Sequence, residues 1–343
     1  MRGQPRPMDP KVSIVIPTYN SERTLRECLD SIFSQRYPMS RVEVIVADAG
    51  SVDGTLGILR SRPRARVVPN PLKTGEAGKA VGVRHARAPI IGLVDSDNFL
   101  VGRDWLGKVM APFRDPEVAG SEARRFAWRP GDSAINRYCA LMGVNDPVCY
   151  YLGNYDRENV VTGHWTGLSL REEDRGGWIK AWITPEANPT VGANGFFIRK
   201  KDLMRVWKGD YLFDIDVVAE LAAGGRNAYA LVDAEIVHLY CRDLGDFLRK
   251  QTRRIKDYLY YRSAGVRRFP WRRVAIGGLV KFVLSTLLVL PLFMTSLRGY
   301  RKKRDPALFL HPLLCWITLL VYGVQRVLGA FSRDIASRKD WQK

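Results

Sequence analysis

Asp95-Ser96-Asp97 closes the apolar run Ile90–Val94. Two carboxylates at i and i+2 just beyond a buried strand can reach one divalent cation, directly or through water. Hard oxygen donors suit Mg2+ or Mn2+, and either ion bridges to phosphate oxygens. A D-x-D pair alone is common in solvated loops; its place at a strand end sets this one apart. Other polar residues also end apolar runs: Tyr19 and Asn20 after Val12–Pro17, Asp48 after Val42–Ala47, and His238 near the end of Leu231–Leu239. Alternative phosphate-binding patterns fail. In Gly75-Glu-Ala-Gly78-Lys79-Ala80 a G-K pair is present, but Lys73 stands where a P-loop needs glycine and Ala80 where it needs Ser or Thr. No G-x-G-x-x-G follows the first strand, which argues against a dinucleotide oxidoreductase.

The elements that must position these groups alternate. Val12–Pro17 reads as a buried parallel strand. Ser21 can cap the helix that follows, on which Leu25, Leu29, Ile32 and Phe33 form one apolar face. A strand at 42–47, a short helix at 54–61, a strand at 66–69, a helix at 77–87 and a strand at 90–94 come next. This is the pattern of a mostly parallel sheet covered by helices, whose ligands sit beyond the carboxyl ends of the strands. Residues 121–193 are less periodic and rich in Trp, Tyr, Gly and Asn, and read as irregular structure lining a substrate cleft. A strand near Gly195–Ile198, a helix over Asp216–Ala223 and a strand over Leu231–Leu239 complete the body.

VSIVIPTYN (Val12–Asn20), VADAGSVDGT (Val46–Thr55) and GLVDSD (Gly92–Asp97) follow one another in the order and spacing of the motifs of family 2 glycosyltransferases of the GT-A fold, and residues 11–241 resemble that family. The resemblance implies an α/β nucleotide-sugar-binding domain. It also implies inverting transfer from a nucleotide-sugar, usually a UDP-sugar, with a divalent metal. Position by position, it puts Pro17 and Tyr19 beside the nucleobase and Asp48 on the base as a hydrogen-bond acceptor. Ala49 stands where many relatives have a second acid. Lys79 aligns with an arginine that offers charge to the diphosphate, and Ala80 replaces the asparagine after it. Asp95 and Asp97 match the sugar-nucleotide and metal acids, and His238 the position where some relatives place a third metal ligand. Asp214, in Leu212-Phe-Asp-Ile-Asp-Val217, falls on the general base, with Phe213 in place of a glutamate. The chemistry needs a carboxylate that deprotonates the acceptor hydroxyl as it attacks the anomeric carbon. Asp216 is expected in the first turn of the acceptor-side helix, and His164 and Trp165 in the acceptor cleft. Asp53 is expected to cap locally and His85 to be structural. Gln251-Thr-Arg-Arg254 resembles the Q-x-x-R-W segment of processive polysaccharide synthases but lacks its Trp.

The charge is uneven. The 343 residues carry 54 Lys and Arg against 35 Asp and Glu, a formal +19. Residues 242–343 hold 22 Lys and Arg and 6 Asp, a net +16, which leaves +3 for residues 1–241. A nucleic-acid enzyme spreads positive charge over its working face, so a nucleic-acid partner is not expected. An anionic membrane surface is. Residues 242–273 read as a basic amphipathic juxtamembrane helix. Val274–Leu297 contains one charge, Lys281, and Ala307–Gln325 contains no Lys, Arg, Asp or Glu. Both are long enough to cross a hydrocarbon core. If both span, the basic linker Arg298–Arg304 lies opposite the catalytic body, against the positive-inside tendency. Pro291 and Pro312 interrupt the two segments, so a re-entrant or interfacial hairpin stands beside the two-span reading. The five cysteines include no C-x-x-C pair, consistent with reduced thiols.

The expected organisation is therefore a disordered 1–10, a GT-A domain at 11–241, the basic helix at 242–273, two membrane helices or a hairpin at 274–330, and a basic tail at 331–343. The expected activity is transfer from a nucleotide-sugar to a hydroxyl of a lipid or lipid-linked saccharide, on a membrane-associated protein whose catalytic domain faces the cytoplasm. A polyprenyl-phosphate sugar synthase and a processive polysaccharide synthase are the enzymatic alternatives, and a non-catalytic membrane scaffold the remote one.

Overall fold

The computed structural model describes residues 11–192, 194–263, 265, 267–269 and 276–331, with the backbone alone at 262 and 329–331. The expected disordered segment 1–10 and all but the first residue of the tail 331–343 lie outside the described residues. The chain forms two compact units, one of residues 1–127 and 170–238, the other of 128–169 and 239–343. Residues 128–169 group with the C-terminal helices.

The first unit is built on one mixed sheet. Strands β1 (Val12–Thr18), β2 (Val42–Asp48), β3 (Ala65–Pro69) and β4 (Ile90–Leu93) are parallel in the order β3-β2-β1-β4. Every residue of β1 is buried, as a strand covered on both faces requires. Helices α1 (Leu25–Phe33), α2 (Thr55–Arg60) and α3 (Gly75–His85) make the crossovers. α3 lies unusually close to β1: a Cβ at Gly82 would sit 2.2 Å from Val15 Cγ1, and one at Gly78 2.8 Å from Pro17 Cβ. Register then delivers the polar residues to one edge. Thr18 is level with Asp48, and Val15 with Leu93, so the chain beyond β4 emerges beside the Pro17–Tyr19 turn.

Beyond β4 the sheet continues through β9 (Phe196–Arg199), β6 (Val118–Ala127), β10 (Ala228–His238), β8 (Trp178–Trp182) and β7 (Arg171–Asp174). The short β5 (Asn98–Leu100) pairs antiparallel with β10, setting Asn98 opposite His238. Helices α4 (Trp105–Met110), α7 (Lys200–Val206) and α8 (Asp214–Ala223) flank the sheet.

Residues 121–193, expected to be irregular, instead hold most of β6, two helices, β7 and β8. Buried polar residues hide the pattern. Ser121 and Glu122 on β6 are fully buried and hydrogen-bonded, Ser121 to the Val109 carbonyl and Glu122 from the Gly192 amide. A strand whose interior positions are satisfied polar groups shows no apolar alternation.

The second unit is helical: α5 (Ala134–Met142), α6 (Pro147–Leu152), α9 (Leu244–Ser263), α10 (Ile276–Leu288), α11 (Leu290–Lys302) and α12 (His311–Phe331). Tyr138, Tyr155, Tyr240, Phe247, Leu308 and Leu314 share one apolar cluster, and Val148, Tyr151, Phe282, Leu292 and Cys315 another. The basic helix α9 uses its apolar side here, with Phe247 and Gln251 fully buried. Gln251 Nε2 donates to the Asn145 carbonyl at 3.1 Å, and Tyr322 Oη of α12 donates to Asp146 Oδ2 at 2.5 Å and lies 3.0 Å from Gln251 Oε1. Gln251 is thus an internal strut of this unit, and the half-buried Arg254 donates through Nη1 to the same Asn145 carbonyl.

The C-terminal apolar segments are not two straight spans. Pro306–Leu328 is one helix long and apolar enough to cross a membrane, whereas α10 and α11 meet at 98°. Proline supplies the cause: Pro291 has no N–H to continue α10 and its ring excludes a carbonyl four residues back. Val289 takes up the turn with φ 61°.

Candidate active site

The carboxyl edge of the parallel strands is stitched together by side-chain hydrogen bonds. Asp48 Oδ2 accepts from the Gly50 and Ser51 amides at 2.9 and 3.0 Å, and its Oδ1 from Ser51 Oγ at 2.6 Å. Ser51 Oγ in turn accepts from the Asn20 amide, and Asn20 Oδ1 from the Val52 amide. Asn20 holds φ 47°, a left-handed conformation that asparagine tolerates better than most residues. Asp53 accepts from the Thr55 amide two residues on and from the Glu22 amide 31 residues away, which ties the loop before α2 to the turn after β1. Beside Asp48, Thr18 Oγ1 and Asn70 Oδ1 are buried with no hydrogen-bond partner among the described residues. Asn70 also donates its amide to the Asp48 carbonyl.

Past β4, the Asp95–Asp97 turn is held by two residues that sequence reasoning did not select. Asn98, fully buried, accepts from the Asp95 amide at 3.2 Å and donates to Asp97 Oδ1 at 3.3 Å and to Asn194 Oδ1 at 3.4 Å. Ser96 Oγ lies 3.0 Å from Ser21 Oγ, tying this turn to the one after β1. The available signal was a polar residue at 98 followed at once by the apolar Phe99-Leu100-Val101. His238 ends β10 with Nε2 3.7 Å from Asp97 Oδ1.

Lys79 joins the two halves of the site. Its Nζ is 2.5 Å from Asp214 Oδ2 and 3.8 Å from Asp95 Oδ1, with a side chain only 12% exposed. Burial alone lowers the Lys79 pKa, but the Asp214 and Asp95 carboxylates outweigh it and raise the value. Burial raises the Asp95 pKa, Lys79 opposes that rise, and the negative charges of Asp97 and Asp214 add to it. Asp214 is the first residue of α8. Gly192, at φ +133°, passes so close that a Cβ would meet the Asp214 carbonyl carbon at 2.9 Å. Asp216, two residues on in the same first turn, is buried.

The structure therefore gathers Tyr19, Asp48, Lys79, Asp95, Asp97, Asp214 and His238 in the first unit, with Pro17 packed under Gly78. His164 and Trp165 belong to the second unit, where His164 is exposed and Trp165 buried. His85 is exposed on α3, near Arg66.

For a metal, the donor set is two carboxylates and an imidazole, hard to borderline ligands that suit Mn2+ or Mg2+. Among the described residues no group of three or more His, Cys, Asp or Glu side chains is preassembled around one ion position. Mg2+-type sites in phosphate enzymes commonly take one or two carboxylates and complete their shell with substrate phosphates and water. The Asp97–His238 pair with Asp95 beside it fits that type.

A mixed sheet with a parallel core, its acids beyond the strand ends, is a fold of the GT-A kind. Residues 13–181, just under half of the chain, match the family described as Glycosyl transferase family 2, and this part of the chain is a domain of that family. Among curated relatives, Glycosyltransferase AglE of Haloferax volcanii is 33% identical over 136 residues, covering 38% of this chain and 44% of that protein. Poly(ribitol-phosphate) beta-N-acetylglucosaminyltransferase TarS of Staphylococcus aureus is 34% identical over 95 residues, covering 26% of this chain and 17% of TarS. The chain thus spans less than half the length of these relatives. In fold it resembles the mannosyltransferase PcManGT of Pyrobaculum calidifontis, solved with GDP-Man and Mn2+. That match has a TM-score of 0.54 at 16% identity, over 95% of this chain and 90% of the other.

Proposed function

We propose that this enzyme is an inverting, metal-dependent transferase that moves a sugar from a nucleotide-sugar, a UDP-sugar by preference, to a hydroxyl of a lipid or lipid-linked saccharide at the cytoplasmic face of a membrane. The observation that carries the reading is the Lys79 ammonium placed between Asp95 and Asp214. One carboxylate belongs to the donor side and the other to the acceptor side, and the cation between them is a ready partner for a diphosphate.

In this reading the nucleobase lies beside Pro17 and Tyr19 and donates to Asp48, with the unpartnered Thr18 and Asn70 oxygens next to it. Asp95, Asp97 and His238 would hold the divalent cation, which would supply positive charge to the departing nucleoside diphosphate. Lys79 adds a point charge to the same diphosphate, without the bidentate fork of an arginine. Donor binding therefore competes with Asp214 for Lys79. Asp214 takes the proton of the acceptor hydroxyl as its oxygen bonds to the anomeric carbon and the bond from that carbon to the diphosphate breaks on the opposite face. Asp216, buried in the first turn of α8, and His164 and Trp165 are assigned to the acceptor side.

The lipid acceptor is supported by the second unit, which exposes Leu284, Leu287, Leu288, Leu290 and Phe293 next to a cluster of Arg and Lys. The test is a panel of nucleotide-sugars, with and without Mn2+, offered to a cellular lipid extract. Product mass identifies donor and acceptor together. A sugar-extended lipid formed only with metal is expected; transfer solely to water or to soluble sugars would contradict the lipid acceptor.

A further inference from the structure

We propose that the α10–α11 elbow inserts into one leaflet of an anionic membrane and returns, so that this segment does not cross the bilayer. This rests on the membrane-attached reading above and adds the topology. End to end, the 26 residues of the two helices would measure about 39 Å, enough to span. Bent by 98°, neither 13-residue arm, about 20 Å long, crosses a core of about 30 Å.

The exposed surface of the elbow is graded as a leaflet is graded. On α10, Ile276, Leu279, Val280, Leu284, Leu287 and Leu288 are exposed, while Phe282, Ser285 and Thr286 face the unit's interior. Lys281 is the one charge on that stripe, and a long lysine reaches headgroups from such a position. On α11 the exposed stripe runs Leu290, Phe293 and Met294, then Arg298, Arg301 and Lys302, followed by Lys303 and Arg304. Leu288 and Leu290, at the tip, are 69% and 68% exposed. From Leu290 to Arg298 the helix rises about 12 Å, close to the half-thickness of a hydrocarbon core of about 30 Å. The stripe thus changes from apolar to cationic over the distance between acyl chains and headgroups. Five basic residues between 298 and 304 match a surface of anionic lipid. Return to the same face also removes the conflict with the positive-inside tendency.

The full-length chain in sealed vesicles tests this. With a membrane-impermeant maleimide, Arg301→Cys is compared with Glu172→Cys, an exposed position on β7 that reports the side of the catalytic unit. The four buried native cysteines and the half-buried Cys149 give the background. Both added thiols are expected to label from the same face of intact vesicles; labelling of Arg301→Cys only from the opposite face would overturn the elbow. Flotation with vesicles of phosphatidylcholine, with and without phosphatidylglycerol, separates the two levels of the proposal. The parent is expected to float, more strongly with the anionic lipid, and Leu288→Glu/Leu290→Glu to weaken binding about tenfold or more. A parent that floats equally well with the double substitution overturns the elbow alone. A parent that never floats overturns membrane attachment as well. A double substitution that turns a dimer into a monomer with flotation unchanged would assign the face to a second copy and overturn the proposal.

Discussion

Lys79 Nζ lies 2.5 Å from Asp214 Oδ2, joining residues 135 positions apart and closing α3 onto the start of α8. Both side chains are nearly buried, so removing the cation leaves carboxylates without their partner. Lys79→Ala is expected to lower stability by about 1–3 kcal/mol and to raise the KM for the nucleotide-sugar. Lys79→Arg is expected to keep donor binding, because its fork serves a diphosphate at least as well. Thermal unfolding and donor-dependent kinetics of the two variants check this; an unchanged KM in Lys79→Ala would contradict the diphosphate role.

Removal of metal is expected to abolish transfer, and Mn2+ to restore it. Asp97→Asn should raise the Mn2+ concentration needed for half-maximal activity by at least about tenfold. Asn98→Ala should do the same more weakly, because Asn98 holds Asp97 Oδ1 without being a ligand. Metal titrations of activity, with calorimetry of nucleotide binding in parallel, measure both effects.

The acid limb of stability traces partly to Glu43. Its side chain is 6% exposed and accepts from Ser13 Oγ at 2.6 Å, the Arg87 amide at 2.9 Å and Arg87 Nε at 2.8 Å. Burial pushes its pKa up, but these hydrogen bonds and the Arg87 charge outweigh it and hold the value below the ordinary 4.5. The folded pKa is depressed, so the stabilisation is fully present above the ordinary value and fades as pH falls through the folded one. Glu43→Gln is expected to be less stable than the parent at neutral pH by about 1–2 kcal/mol. That gap should narrow in acid. Melting temperatures from neutral pH to pH about 3 would show it.

Gly82 sets the distance between α3 and β1. A methyl group there would stand 2.2 Å from Val15 Cγ1, so helix and strand must part. Gly82→Ala is expected to cost about 1–3 kcal/mol by overpacking, although alanine is the better helix former. A rise in melting temperature would show that α3 does not pack on β1 as described.

Much of the first unit was legible in the sequence because its strands are buried on both faces. Runs such as Val12–Pro17, Ser13 aside, and Ile90–Val94 are apolar, and polar residues the site uses follow each of them. The elements over 118–182 escaped because their interior positions are satisfied polar groups, Ser121 and Glu122 among them, or because β7 is a fully exposed edge strand. Asn98 escaped for a different reason. Its importance lies in three hydrogen bonds, one of them to Asn194, 96 residues away, and no local spacing encodes such a partner. The Lys79–Asp214 contact is of the same kind. The C-terminal segments were legible as apolar but not as bent, since composition carries length and hydropathy while the turn at Val289 depends on Pro291 acting within a helix pair.

The central claim is that Asp214 activates the acceptor at a site that binds the donor through other residues. The most direct measurement pairs transfer rate with nucleotide affinity in Asp214→Asn, a nearly isosteric change. A fall in kcat of at least about a hundredfold is expected, with metal-dependent binding of the nucleoside diphosphate retained. An Asp214→Asn enzyme with parental kcat would contradict it.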